Sequence, residues 1–384
     1  MNEEREEHEE RELARCTKCG FCLPTCPTYG VTGAETDSPR GRLELLSRRL
    51  GGTLRAREVR SALNECLLCG SCTAACPQGI PTARMVRRAK SREGAGLFGL
   101  LVRGVFSHPE FLRVVGRFSR RANGAGKAPG GVAPDRASPI RVAYFPGCSH
   151  GFWYPETKVA TGNVLVAAGA GVWELSPLCC GLPLWAAGDR EGAAALAGRV
   201  LTAFRAAGEP TVVTDCASCA ATLREYPELL PREPAAVRLA AKVWDLAAFL
   251  AETGYESPPG PRIPGPLAVT YHQPCHARQS GEGEATRRLL ESLPGVEYRE
   301  AKGYDACCGG AGLWGLRHAE LSGKILARKM AAFAATEAGL VVTSCPACRM
   351  QLERGVRRAG LKLAVGSVAG MLVRPKPLWE EPDR

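Results

Sequence analysis

CTKCGFCLPTCP, residues 16–27, and CLLCGSCTAACP, residues 66–77, repeat one cysteine pattern near the start of this chain of 384 residues. In each stretch three cysteines recur at every third position, a fourth follows four residues later, and a proline ends the run. Proline lacks a backbone N–H and has a fixed φ, so it can terminate each cysteine loop. A small lobe with so many thiols is expected to depend on bound metal for its fold.

The spacing C-x2-C-x2-C-x3-C-P is typical of bacterial ferredoxin-type lobes with two 4Fe-4S clusters, where the fourth cysteine of each run ligates the other cluster. We therefore predict two clusters with exchanged fourth ligands. The first would be held by Cys16, Cys19, Cys22 and Cys76, and the second by Cys66, Cys69, Cys72 and Cys26. Zinc knuckles and disulfides are alternatives, but zinc sites draw four ligands from separated pairs, whereas a tight triplet with a distant fourth suits a cubane.

The composition indicates a globular protein of two or three domains. Hydrophobic residues make up 45% of the chain and charged residues 23%, which is enough for a substantial core. The longest apolar runs are shorter than the ~20 residues of a membrane-spanning helix. The formal net charge is +11, but no nucleic-acid motif accompanies it, so we predict no nucleic-acid partner.

The N-terminal residues, MNEEREEHEERELAR, are acidic and lack an apolar segment. They fit neither a secretory signal nor a transit peptide, so we predict a cytoplasmic protein, with a peripheral position at the inner face of the membrane as an option. In a reducing compartment, 18 cysteines are expected to bind metal or carry redox chemistry rather than form disulfides.

The remaining cysteines form a second repeat, in which five cysteines recur at nearly constant separation along the chain. Such a constant shift indicates two tandem copies of one domain. The first five-cysteine set is Cys148, Cys179, Cys180, Cys216 and Cys219, and the second five-cysteine set is Cys275, Cys307, Cys308, Cys345 and Cys348. We interpret both sets as candidate sites for further clusters or zinc.

Each group in these sets follows a short β-rich run, and helical patterns separate the runs. Alternating strands and helices predict a parallel sheet, and sites form beyond the carboxyl ends of such strands. The five cysteines of each copy should therefore converge on one metal site, with buried core cysteines that bind nothing as the alternative. The runs are RVAYFPGC, GVWELSPLCC and TVVTDCASC in the first copy, and LAVTYHQPC, VEYREAKGYDACC and LVVTSCPAC in the second.

The predicted fold class is α+β multidomain, with an α-helical two-cluster ferredoxin-like lobe followed by two tandem α/β domains with parallel sheets. We place the lobe at residues 1–90, the first α/β domain at 140–260 and the second at 261–384. Residues 91–139 combine an amphipathic helical pattern with a Gly/Pro linker. The helix is expected to pack on its own domain, and docking on a partner or an anionic membrane surface is the alternative.

GGAGLWG, residues 309–315, contains the GxGxxG pattern of dinucleotide-binding loops. It directly follows a cysteine pair, where a cluster loop also needs glycine for close backbone approach. The first copy, CCGLPLWAAGD, lacks the pattern. We therefore predict no nucleotide site here and expect electrons to come from a separate cofactor-bearing subunit.

Two ferredoxin motifs followed by two cysteine-rich "CCG" domains resemble the iron–sulfur subunit of glycolate oxidase and its relatives. These relatives are subunits of anaerobic glycerol-3-phosphate dehydrogenase, lactate-utilisation and heterodisulfide reductase systems. The resemblance covers essentially the whole chain. It is carried by CGFCLPTCPTYGVTGAETDSPRGRLELL, by YHQPCHARQ and by CCGGAGLWGLRHAELSGKILARKM.

The resemblance implies an oxidoreductase subunit that receives electrons from an FAD-binding partner, which oxidises glycolate or another 2-hydroxy acid, and passes them toward the quinone pool. It also implies that the eight ferredoxin-type cysteines ligate the two cubanes and that no residue of this chain is catalytic. The complete pair Cys345 and Cys348 departs from many glycolate oxidase subunits and resembles heterodisulfide reductase, whose CCG motifs hold clusters that cleave disulfides. A disulfide reductase is therefore the alternative function, and structural zinc in both sets is a third reading.

Four further residues lie close to these motifs in the chain. His272 and His276 flank Cys275, and we expect them near the site or at the surface, with a ligand or proton-relay role as the alternative. Arg40 and Arg42 are expected to support the first lobe or its partner face.

Overall fold

The computed structural model describes residues 3–108, 110–114, 116, 138, 140–255 and 266–373. A helical lobe at the N-terminus is followed by two α/β domains with parallel sheets, so the predicted fold class is confirmed. Much of the predicted linker lies outside the described residues, as do residues 256–265 between the two α/β domains. The predicted domain boundaries therefore stay predictions.

The N-terminal lobe packs its helices around a small apolar core. Leu46, Val59, Leu63 and Met85 are buried there, and several of the cluster cysteines pack against them. The second and third helices each begin with proline, whose fixed φ suits the first helical position. The helices are Glu3–Ala14 (α1), Pro27–Thr32 (α2), Pro39–Leu50 (α3), Ala56–Asn64 (α4), Ser71–Ala74 (α5) and Thr82–Glu93 (α6), with a 3-10 turn at Glu35–Asp37. The next helix, Gly96–Phe106 (α7), packs on the first α/β domain, where Val102 is buried in one cluster with Trp185.

The first α/β domain has a parallel sheet of strand order β2-β1-β3-β4. Its strands are Ile140–Tyr144 (β1), Ala170–Glu174 (β2), Thr211–Thr214 (β3) and Val243–Asp245 (β4). Its helices are Gly147–Phe152 (α8), Pro155–Ala167 (α9), Leu182–Ala186 (α10), Arg190–Ala206 (α11), Ala217–Arg224 (α12), Tyr226–Leu229 (α13), Pro234–Ala240 (α14) and Leu246–Glu252 (α15).

The second α/β domain repeats this topology with the order β6-β5-β7-β8. Its strands are Leu267–Tyr271 (β5), Val296–Tyr298 (β6), Leu340–Thr343 (β7) and Ala364–Ser367 (β8). Its helices are Cys275–Ser280 (α16), Gly283–Glu291 (α17), Trp314–Arg317 (α18), Ala319–Ala334 (α19), Pro346–Ala359 (α20) and Val368–Leu372 (α21). The sequence did not predict β4 and β8, because these short strands lead to no cysteine.

The two α/β domains share one hydrophobic core. Tyr144 and Val213 from the first sheet lie in the same buried cluster as Tyr271 and Val342 from the second. Beyond the sheet edges, the backbone N–H of Ala217 donates to a carbonyl of the second domain, that of Ser344, at 2.9 Å. The carboxyl ends of both sheets, where the cysteines lie, are therefore neighbours.

Within the described ranges, no helix is both long and apolar enough to cross a bilayer.

Candidate metal centres

The two ferredoxin-type loops adopt the same backbone turn. Lys18 and Leu68 have φ of 57° and 56°, and the glycines two residues later, Gly20 and Gly70, have φ of 87° and 67°. Glycine accepts this left-handed region freely, whereas a residue with a Cβ is strained there by about 1–2 kcal/mol. The same strain at the same motif position in both copies indicates loops shaped around a ligand.

The eight thiols of these loops line two cavities. Cys26 lines one cavity together with Cys66, Cys69 and Cys72. The second cavity is lined by Cys16, Cys19, Cys22 and Cys76, with Cys72 also at its wall. The structure thus brings the fourth cysteine of each run to the triplet of the other run, the grouping expected for exchanged ligands. Which thiolates ligate iron stays a prediction.

Arg42 is a buried cation beside the cavity that Cys26 lines. Its side chain is 1% exposed, and its Nη1 lies 3.9 Å from Sγ of Cys26. Its Nε donates to the carbonyl of Ala62 at 2.7 Å, and its Nη atoms donate to Oγ1 of Thr28 at 3.2 Å. A fixed positive charge at this place offsets the negative charge that thiolate ligation concentrates there.

The other cavity lies nearer to solvent. Cys19 is the one cysteine of the chain with an exposed side chain, and the neighbouring Phe21 is 65% exposed. Arg40 holds this loop, because its Nη1 donates to the carbonyl of Lys18 at 3.2 Å while its Nε pairs with Glu35 at 2.7 Å. Arg40 therefore supports the loop of Cys19, and Arg42 lies beside the cavity that Cys26 lines.

The cysteine pairs of the two α/β domains are followed by equivalent glycines. Gly181 and Gly309 have φ of 91° and 77°, and their backbone N–H groups donate to Sγ of Cys179 and Cys307 at 3.5 Å. A Cβ at Gly309 would lie 3.0 Å from Cβ of Ile325. Glycine is required at both positions because the turn needs a positive φ and because neighbouring atoms leave little room for a Cβ. The sequence predicted such a close backbone approach for the stretch after Cys308.

The thiols of both five-cysteine sets form one continuous row, in which each interacts with the next. Within each pair, a hydrogen bond from the first thiol lowers the pKa of the second, that of Cys180 or Cys308, well below its ordinary value. The order along the row is Cys148, Cys179, Cys180, Cys219, Cys216, Cys345, Cys348, Cys308, Cys307 and Cys275.

The two sets meet at Cys216 and Cys345. Each is the N-cap of a helix, α12 or α20, where backbone N–H groups favour a thiolate. Ser218 also contacts Sγ of Cys345 at 3.3 Å and Nδ1 of His276 at 3.1 Å. Soft thiolates suit iron–sulfur clusters, and five per domain exceed the four that one zinc ion takes. The residues present therefore fit a thiolate-bound metal centre in each domain.

The row continues into the N-terminal lobe through Cys69. Its thiol interacts with that of Cys307, which raises the pKa of Cys69, and both lie in one apolar cluster. Arg278 donates through Nη2 to the carbonyl of Cys69 at 2.8 Å, and Nε1 of Trp314 donates to the carbonyl of Asn64 at 2.8 Å. A cysteine of the lobe and a cysteine of the second set are thus held against each other.

His272 lies near the site, which is one of the two positions that the sequence suggested, and not at the surface. Its side chain is fully buried, and a ring nitrogen lies in a group with the thiols of Cys308 and Cys348 whose ligand atoms are all within 4.8 Å of one another. Burial holds the pKa of His272 well below its ordinary value, so the imidazole is neutral. His276 is half-buried and contacts Ser218.

Sequence reasoning missed a buried polar network behind the first set. Asp215 accepts hydrogen bonds from Tyr144 at 3.0 Å and Thr161 at 2.6 Å, and it contacts Nδ1 of His150 at 2.9 Å. The available signal was the acidic residue directly before Cys216, at the end of a buried strand. The second copy has Ser344 at that position, so the repeat itself did not draw attention to it.

Comparison with known families matches most of this architecture. Residues 12–80 match the 4Fe-4S dicluster domain, and residues 142–224 and 269–353 each match the cysteine-rich domain called CCG. The matched ranges contain the cysteines of both cavities and both five-cysteine sets.

Full-length relatives agree with these matches. The chain is 31% identical to the probable glycolate oxidase iron–sulfur subunit of Bacillus subtilis, over 96% of this chain and 94% of the relative. It is 28% identical to the glycolate oxidase iron–sulfur subunit of Escherichia coli, over 88% and 89%. It is 26% identical to a subunit of the dihydromethanophenazine:CoB–CoM heterodisulfide reductase of Methanosarcina barkeri, over 88% and 87%. The chain therefore belongs to the family of glycolate oxidase iron–sulfur subunits.

Proposed function

We propose that this chain is the electron-transfer subunit of an FAD-linked 2-hydroxy-acid dehydrogenase of the glycolate oxidase kind. It would take electrons from a flavin subunit and pass them toward the quinone pool, while the hydroxy acid binds to the partner. The observation that carries the proposal is the contact of Cys69 with Cys307, which joins the ferredoxin-type lobe to the row of ten thiols. Similarity to two glycolate oxidase iron–sulfur subunits supports the same function.

The ligands that we propose are those of the sequence prediction, with two 4Fe-4S clusters in the lobe and one further cluster for each five-cysteine set. When bound, iron–sulfur clusters carry single electrons at potentials that their surroundings adjust. The chain's own residues provide the route. Cys19 and Phe21 expose the cavity of Cys16, Cys19, Cys22 and Cys76 to solvent, where a partner can approach, and Cys72 borders both cavities.

The proposal is tested by anaerobic purification of the tagged chain with its natural partners. We expect an FAD-binding subunit to co-purify and the cluster absorbance to bleach when glycolate or lactate is added. Replacing Phe21 with glutamate should weaken that capture, because it puts a charge on the exposed loop. The control is Val237→Glu, which puts the same charge at an exposed apolar residue of the first α/β domain, away from the cysteine loop. A variant of Glu35 would not serve as a control, because Glu35 pairs with Arg40. A flavin-free complex that does not respond to hydroxy acids would refute the proposal.

A second function, disulfide reduction at the CCG centres, is favoured by one observation. Both five-cysteine sets are complete, and they meet directly through Cys216 and Cys345. The similar chain from Methanosarcina barkeri belongs to a heterodisulfide reductase. This function predicts that the clusters of the purified chain, once reduced, are reoxidised by a low-molecular-weight disulfide. The reduced clusters of a chain that only transfers electrons should not be reoxidised by such a disulfide.

A further inference from the structure

His272 and Phe145 occupy the same place in the two CCG domains. Each directly follows the first strand of its sheet, and its backbone N–H donates to the third strand at 2.8 Å, to Val342 or to Val213. Each lies three residues before the first cysteine of its set, and both side chains are 0% exposed. Since the fold accepts a hydrocarbon ring at this place, packing alone does not require an imidazole.

The imidazole of His272 also lacks the partners that a buried polar ring needs. Neither Nδ1 nor Nε2 has a hydrogen bond to a residue in the described part of the chain, and the ring packs edge-on against Phe333 with centroids 6.3 Å apart. A buried donor or acceptor without a partner destabilises the folded chain, because it has lost the hydrogen bonds that water gave it. A ring in this position is explained if one of its nitrogens binds something that is not a protein atom.

The side chains beside His272 indicate which kind of group its imidazole binds. Cys308 and Cys348 are the neighbouring thiols of the second set, and their Sγ atoms lie within 4.8 Å of each other and of a ring nitrogen of His272. Metal–sulfur and metal–nitrogen bonds of about 2.0–2.3 Å would let one ion contact all three atoms after a small closure. Imidazole nitrogen and thiolate are the ligand types that iron and zinc take together in proteins.

We propose that the imidazole of His272 ligates the metal centre of the second CCG domain, beside the thiolates of Cys308 and Cys348. The inference rests on the proposed function to the extent that a metal centre occupies this domain. The two CCG domains would then differ chemically, because Phe145 provides no ligand to the first. If the imidazole takes the place of one of the five thiolates as a ligand, the second centre carries less negative charge and has a higher reduction potential, as in Rieske centres. The second centre, which adjoins Cys69, would therefore be the easier of the two to reduce.

The test uses the full-length chain purified anaerobically with its metals, unlabelled and with ¹⁵N-histidine. Pulsed EPR of the dithionite-reduced protein should show a strong histidine nitrogen coupling in the wild type. His272→Phe, which copies Phe145, should abolish that coupling, and His272→Asn provides a smaller replacement should phenylalanine disturb folding. His276→Asn tests the other histidine next to the second set, whose Nδ1 lies 3.1 Å from Oγ of Ser218 and 3.9 Å from Sγ of Cys275, and this variant should leave the coupling unchanged. Iron and zinc are counted in every sample.

Each outcome decides the inference. Loss of the coupling in both His272 variants, with iron content retained or lost only from the second domain, supports it. A wild type with iron in both CCG domains but no histidine coupling, or a coupling that survives His272→Phe, overturns it while leaving the proposed function intact. If the CCG domains hold zinc, the proposed function fails. The inference about His272 then holds only if X-ray absorption at the zinc edge finds a nitrogen ligand that His272→Phe removes. Metal in neither CCG domain refutes both.

Discussion

Removing the charge of Arg42 should lower the reduction potential of the cluster proposed for Cys26, Cys66, Cys69 and Cys72. Reduction adds one negative charge beside the guanidinium, so the cation stabilises the reduced form more than the oxidised form. The Nη1 atom of Arg42 lies 3.9 Å from Sγ of Cys26. At this distance and an effective dielectric constant of about 20, two unit charges interact by about 4 kcal/mol.

The added electron is spread over a cluster, so we take roughly half of that energy, about 2 kcal/mol. For a one-electron couple this corresponds to a decrease of roughly 90 mV. Arg42→Met keeps the length of the side chain and removes its charge, and Arg42→Lys restores the charge with fewer donors. Because Asp37 pairs with Arg42 at 3.8 Å, the double variant Asp37→Asn/Arg42→Met avoids an uncompensated carboxylate.

The assay is an EPR-monitored redox titration of the intact chain, in which the two cubanes are followed separately. We expect the full decrease in Arg42→Met, a smaller decrease in the double variant, because Asp37→Asn also removes a negative charge near Cys26, and a potential near that of the wild type in Arg42→Lys. The cluster proposed for Cys16, Cys19, Cys22 and Cys76 should change less. An unchanged potential in Arg42→Met with full iron content, or a shift confined to the other cluster, would show that the electrostatic reasoning is wrong.

Three further predictions concern the cysteine loops. Cys22→Ser should cost one cubane and abolish electron throughput while a partner flavin remains reducible by substrate, and full quinone-coupled turnover in this variant would contradict the proposed route. Cys308→Ser should disrupt the centre of the second CCG domain and stop quinone-coupled turnover while a partner flavin stays reducible by substrate, and full turnover in this variant would show that the route does not pass through the second set. Gly309→Ala should lower the free energy of unfolding by about 1–3 kcal/mol more than Gly312→Ala, as measured by chemical denaturation, since both have positive φ but only Gly309 is crowded by Ile325. If the two variants lose the same free energy of unfolding, the side chain of Ile325 moves away from the new Cβ without destabilising the fold.

Cysteine spacing predicted much of this architecture, because each motif is a local pattern. The spacing within the run from Cys16 to Cys26, and within its copy, predicts the loop geometry. The β-rich stretches before Cys148 and Cys275 predict the first strand of each α/β domain. The motif also predicts an exchange of fourth ligands, which stays a prediction, and the cavities group the cysteines in the same way. These features require only residues that are near one another in the chain or in an equivalent copy.

Contacts between separate parts of the chain could not be predicted in this way. Nothing local to Cys69 indicates that Cys307 lies against it, since the contact depends on how the lobe packs on the second domain. The burial of His272 could not be predicted either. A histidine close to a cysteine in the sequence can lie in a surface turn as well as at the end of a buried strand. The sequence offered one usable signal, the contrast of Phe145 and His272 at matching positions, which becomes informative once both are known to be buried.

The two CCG domains keep the same cysteines but differ in the side chains that surround them. The tyrosine that ends the first strand contacts Asp215 at 3.0 Å in the first domain, and the equivalent Tyr271 contacts Ser344 at 3.5 Å in the second. His150 pairs with Asp215 behind the first set, whereas the position two residues after Cys275 is an alanine. Hydrogen bonds and charges around a thiolate-ligated centre adjust its potential. A duplication that served only to repeat one site would not need these differences, so we infer that the two sites work at different potentials along one route.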